Sequence, residues 1–63
     1  MGIFEEAKII VADLIKVFKK HGMTEEDIKD SFDGAEKLIN ELRIKQDVKD
    51  FIKKVLDDKK KDL

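Results

Sequence analysis

From Ile3 to Leu56 the apolar residues return at three- and four-residue intervals, with no run of strand-like alternation and no proline to interrupt them. Spacing of this kind builds helices that each bury one stripe, and it leaves no segment patterned as a half-buried strand. The 63-residue chain is therefore expected to be all-α and to form a single helical domain over 1–63. What remains to be read is where the helices stop, because only Gly and shifts of helical phase are present to stop them.

The first segment, about 3–20, carries the strongest pattern. At about 100° per residue, Val17, Ile10, Ile3, Leu14, Ala7, Phe18, Val11, Phe4 and Ile15 fall on one arc roughly 160° wide. That is broader than a one-sided surface helix needs. Glu5, Glu6, Lys8, Asp13, Lys16, Lys19 and Lys20 occupy the other side, and Ile9 alone among the large apolar residues lies there. Lys19-Lys20-His21-Gly22 ends the segment: cations suit the negative end of a helix dipole, and Gly commonly follows a helix end.

The second segment opens with a capping box, Thr24 with Asp27, and with Glu25 and Glu26 in the first turn. Met23 before the cap and Ile28 after it have staple spacing. Ile28 and Phe32 stay in phase with Ala35, Leu38 and Leu42 across Gly34, which predicts one helix over about 25–43 rather than a helix-loop-helix. In the third segment, about 47–60, the stripe of Val48, Phe51, Ile52, Val55 and Leu56 is rotated by roughly 140° from the second. The chain is thus expected to turn between 43 and 47, with Asp47 as N-cap, although Arg43-Ile44-Lys45-Gln46 has neither Gly nor Pro. One long helix with two apolar faces is the alternative. The charged end, 58–63, is expected to fray into solvent. Short connections predict a three-helix bundle with antiparallel neighbours and the first helix at its centre.

Composition limits the chemistry. The chain has no cysteine and one histidine, His21, so disulfides and thiolate or multi-imidazole metal sites are out of reach within one copy. Charged residues are 46% of the chain but the net charge is −1. Residues 1–23 carry +1, residues 24–44 carry −4 and residues 45–63 carry +2. An acidic middle between basic flanks suits helices folded back on one another, not a field for steering a polyanion. The N-terminal apolar residues are interrupted by charge, so no signal core or membrane span is predicted and the expected setting is cytoplasmic.

Each candidate site meets a plainer explanation. His21 has no nucleophile or acid placed to work with it and reads as a cation closing a helix. Asp27, Asp30 and Asp33 follow one side of the second helix but lack a calcium-loop pattern, so they read as a solvated acidic face. Lys45, Lys49, Lys53 and Lys60 form a stripe diluted by Asp47, Asp50, Asp57 and Asp58. A helix-turn-helix pivoting on Gly34 would need Asp30 and Asn40 at positions that call for small and buried aliphatic residues. The first helix has the amphipathicity of a membrane-surface helix, but the complementary stripes that follow it favour core packing.

The wide apolar arc is the most informative feature. If two neighbouring helices do not cover it, Ile3, Ile10 and Val17 at its edge stay exposed and mark an interface. The expected function is accordingly a non-enzymatic protein–protein interaction module, acting through that edge or through the acidic second helix. Its partner is another protein or a second copy in a homodimer, since unstapled domains of this size often need help to be stable. No catalytic, cofactor-binding or metal-ligating residue is expected. A small DNA-binding transcriptional regulator is the alternative, testable through Lys49 and Lys53.

Overall fold

The computed structural model describes residues 2–63, and among them are three helices and no strand: α1 (Ile3–Lys20), α2 (Glu25–Asn40) and α3 (Gln46–Lys60). The fold is the expected all-α three-helix bundle. Its first corner is set by local chemistry. Gly22 takes φ of 89°, in the left-handed region, and there the Gly22 and Met23 N–H groups donate back to the Lys19 and Phe18 carbonyls at 3.0 and 3.1 Å. These two bonds are a Schellman motif. Two residues on, the Asp27 N–H donates to Thr24 Oγ1 and the Thr24 N–H donates to Asp27 Oδ2, both at 3.1 Å, completing the capping box. Met23 belongs to both devices. It follows the end of α1 and precedes the start of α2, and it packs with Phe18 around the core that contains Ile28.

The second corner differs from expectation. α2 ends at Asn40 rather than near 43, α3 starts at Gln46, and Lys45 rather than Asp47 precedes it as N-cap. The turn therefore spans 41–45, and no non-glycine residue in it needs a positive φ. The reason lies across the corner: Lys49 Nζ donates to the Asn40 carbonyl at 3.0 Å and Lys53 Nζ to Asn40 Oδ1 at 2.9 Å. The Glu41 and Leu42 N–H groups close the last turn onto the Leu38 and Ile39 carbonyls at 3.0 and 3.1 Å, Lys49 adds a donor to the next carbonyl, and Lys53 holds the Asn40 side chain, so no glycine cap is needed. Asp47 sits inside α3, its carboxylate accepting from the Val48 N–H at 2.9 Å. Gly34 lies within an unbroken α2, as its phase predicted.

α2 and α3 run antiparallel, with Asn40 meeting Lys49 and Lys53 at one end and Asp33 and Glu36 meeting Lys60 at the other. α1 and α3 run in the same sense: Phe4 stacks edge-on against Phe51, with centroids 5.9 Å apart at 76°, and Lys8 pairs with Asp58 at 3.2 Å. The central element is α3, which packs along both of the others, whereas α1 and α2 meet least. This corrects the expectation that α1, with the widest stripe, would be central. The core is small. Ile15, Ile28, Phe32 and Val55 are buried, with Val11, Phe18, Met23 and Leu56 partly buried around the first three. At the charged end, where the sequence predicts fraying from 58, residues 58–60 form the last turn of α3 and Leu63 packs partly buried against the core.

The resulting shape is flat. The Cα extents are 34 × 29 × 17 Å and the radius of gyration is 11.9 Å, against about 10.6 Å for a compact chain of this length. The accessible surface is 4731 Å², against about 4,200 Å² for a compact protein of this mass. Because α1 and α2 pack together only around Ile15, Ile28 and Phe32, near their shared corner, one side of α1's broad arc is left uncovered.

Candidate interaction surface

The uncovered side of α1 is the edge picked out by spacing. Ile3 is 76% exposed, Ile10 68% and Val17 48%, all on one side of the helix at seven-residue intervals. Leu14, 42% exposed, completes the row. Sequence reasoning placed Leu14 deeper in the arc, and only the absence of α2 from that side leaves it open. Phe4, Val11 and Phe18 turn the other way and are partly buried. Ile9 is also exposed but lies apart on the polar face, and a lone apolar residue at a surface needs no explanation.

The row does not stand alone. Between α1 and α3 a shallow apolar groove of about 180 Å³ is lined by Ala7, Ile10, Phe51, Ile52 and Val55 among others. A second hollow beside it joins Ile3 to Val48 and Phe51 of α3. The apolar patch therefore crosses from one helix to the next. The contribution of Val48 and Phe51 has no signature in the sequence, since it depends on α3 lying parallel to α1. A separate exposed apolar set, Leu38, Leu42 and Ile44, occupies the corner between α2 and α3.

The polar candidates are already engaged. Asp27 serves the capping box and Asp33 binds Lys60 at 2.5 Å, so the acids at three-residue spacing do not converge. Thr24, Glu25, Glu26, Lys29, Asp30 and Asp33 line a wide, open depression on that face. Among the described residues no three His, Cys, Asp or Glu side chains are grouped as metal ligands. Lys60 also meets Glu36 at 2.8 Å and Asp57 at 3.2 Å, and its amino group is pushed well above the ordinary lysine range, first by the hydrogen bond to Asp33 and then by that to Glu36. The Asp57 carboxyl is held below its usual value by its contact with Glu36 and by Lys60. These charges tie α2 to α3 rather than face a ligand. Lys8 is raised in turn by its bond to Asp58, with Glu5 adding to the effect, and together with Lys54 it lies over the Phe4 ring, 5.5 and 5.1 Å from its centroid. His21 closes α1 through its backbone N–H, which donates to the Val17 and Phe18 carbonyls at 3.1 Å.

Among the described residues, no helix is long and apolar enough to cross a membrane. Comparison with models of protein families, with curated proteins and with solved structures finds no match to this chain.

Proposed function

We propose that this protein is a non-enzymatic interaction module whose working surface is the apolar edge of α1, extended by Val48 and Phe51 of α3. The observation that carries the reading is the row of Ile3, Ile10, Leu14 and Val17, left open beside an apolar groove. Large aliphatic side chains exposed in a continuous strip mark binding surfaces, because leaving them in water forfeits about 25 cal/mol for each Å² of apolar area. The acidic face of α2 supports this role less well, since Asp27 and Asp33 already have partners within the chain. The same reasoning disfavours a DNA-binding role. Lys49, Lys53 and Lys60 hold backbone and side-chain oxygens of α2 and α3, whereas phosphate contact needs ammonium groups free to displace counterions.

The test is photo-crosslinking in the native cell, with benzoylphenylalanine replacing Ile10, Lys16 or Asp30 in turn. Ile10 samples the apolar edge, Asp30 the acidic face, and Lys16 the opposite side of α1. Protein adducts from position 10, with none from 16, are expected. Adducts from position 30 alone would move the working surface to α2, and none from any position would remove the interaction reading.

A further inference from the structure

We propose that the occupant of the α1 edge is a second copy of this chain, its α1 packed antiparallel to the first across a two-fold axis. This deepens the reading of α1 as an interaction surface, rests on it, and names the partner. The argument begins from register. Ile3, Ala7, Ile10, Leu14 and Val17 are separated by four, three, four and three residues, which is the seam repeat of two packed helices. The residues beside the seam on one flank, Phe4, Val11 and Phe18, are taken up in packing within the chain. Those on the other flank, Glu6, Asp13 and Lys20, are exposed and again spaced by seven.

An antiparallel pairing fits these side chains together. Leu14 of each copy lies over Ile10 of the other, and Val17 over Ala7. Placing a large residue against a small one fills a layer without strain, and Ala7 forms part of the floor of the apolar groove between α1 and α3. A parallel pairing would set Ala7 on Ala7 and leave a void. Charge points the same way. Antiparallel helices bring matching flanks together, so Glu6 of each copy faces Lys20 of the other at the two ends of the seam, and the helix dipoles oppose. Only Asp13, beside the axis, meets its own kind. On the opposite flank the same geometry brings the two α3 helices side by side, so Val48 and Phe51 of each copy enter a shared four-helix core.

The surface leaves room for this partner: the chain as a whole exposes roughly 500–600 Å² more than a compact protein of its mass, an excess to which the α1 edge contributes alongside the Leu38, Leu42 and Ile44 corner.

Because the native chain lacks cysteine, single thiols report the geometry directly. Under mild oxidation Asp13→Cys is expected to link to itself, Glu6→Cys alone is expected not to, and a mixture of Glu6→Cys with Lys20→Cys is expected to give the heterodimer. Sedimentation equilibrium of the unmodified chain should find twice 7.3 kDa, and Ile10→Asp should raise the dissociation constant about 30-fold or more, as loss of a central contact does, while far-UV dichroism stays helical. A helical monomer at every concentration overturns the proposal. So does self-linking through Ala7→Cys, because a seam residue at that position meets its own kind only in a parallel pairing. If the chain is monomeric but position 10 crosslinks to a different protein in the cell, the interaction surface stands and only the second copy is excluded.

Discussion

Ile28 is the residue on which the most structure depends. It is fully buried, it lies one helical turn after the Thr24 cap, and the core around it includes Met23 from the preceding corner. Truncation to alanine removes apolar contact and leaves a cavity, at about 2–5 kcal/mol for a buried aliphatic side chain. A core in a domain this small rarely supplies more than about 3–5 kcal/mol in total, so Ile28→Ala is expected to abolish cooperative thermal unfolding; a sharp transition near the wild-type temperature would show that the core is not where the structure puts it. Lys60 is the polar counterpart. Its ammonium is surrounded by Asp33, Glu36 and Asp57, and Lys60→Met leaves three carboxylates facing one another. With solvent still reaching the group, a loss of about 1 kcal/mol at neutral pH is expected in denaturant titrations. The sign with pH follows from the shifts. Lys60 is raised in the folded state, so its contribution is complete below the ordinary lysine range near 10.4 and is lost as pH rises through the folded value. Asp57 is lowered, so its contribution is present above the ordinary aspartate range and is lost as pH falls through the depressed value. The difference between variant and wild type should therefore shrink as pH falls through the depressed Asp57 value. A difference unchanged through that fall would assign Lys60's effect to packing of its methylene stem.

At the scale of elements, α2 shows what a continuous helix costs when it carries a glycine at mid-length. Gly34 has helical geometry, and a Cβ built there meets nothing within 4 Å. Gly34→Ala is expected to stabilise the protein by about 1 kcal/mol, the propensity difference in a helix interior, with unchanged oligomeric state; a destabilisation would mean that α2 bends at this point. The same helix separates what could be read from the sequence from what could not. Its start was legible because Thr24, Asp27, Met23 and Ile28 make the capping box and the staple with near neighbours in the chain. The end of α1 was legible for the same reason, through Lys19, Lys20, His21 and Gly22. The end of α2 was not, because no glycine marks it and the contacts that hold Asn40 there come from Lys49 and Lys53, on another helix. The candidate surface divides likewise. Ile3, Ile10 and Val17 share an edge by periodicity alone, whereas the exposure of Leu14 and the adjacency of Val48 and Phe51 depend on α3 taking the central place expected of α1. That exchange of roles has a physical origin: a wide stripe does not place a helix at the centre unless both neighbours reach it, and two well-formed corners fix α2 where it meets mainly α3.

At the scale of the whole molecule, a flat arrangement of three helices around four buried side chains among the described residues links folding to association. The apolar area that α1 leaves in water contributes nothing to the stability of one chain and becomes favourable only when a second surface covers it. If that surface is another copy, dissociation and unfolding share one equilibrium, and stability rises with protein concentration. Each tenfold increase adds about 1.4 kcal/mol per dimer, half of it per chain. For a domain of this size that corresponds to a rise in Tm of about 3–6 °C. Scanning calorimetry over two decades of concentration should show this rise for the wild type. Ile10→Asp should melt lower and independently of concentration, because the seam no longer closes. A wild-type Tm that stays flat while Ile10→Asp melts at the same temperature would make the three helices self-sufficient, and the α1 edge would then serve a partner that arrives after folding is complete. A flat wild-type Tm with a variant that melts lower would mean that Ile10 supports the chain's own core through the groove it shares with Phe51 and Val55, and the exposed row would lose its central member.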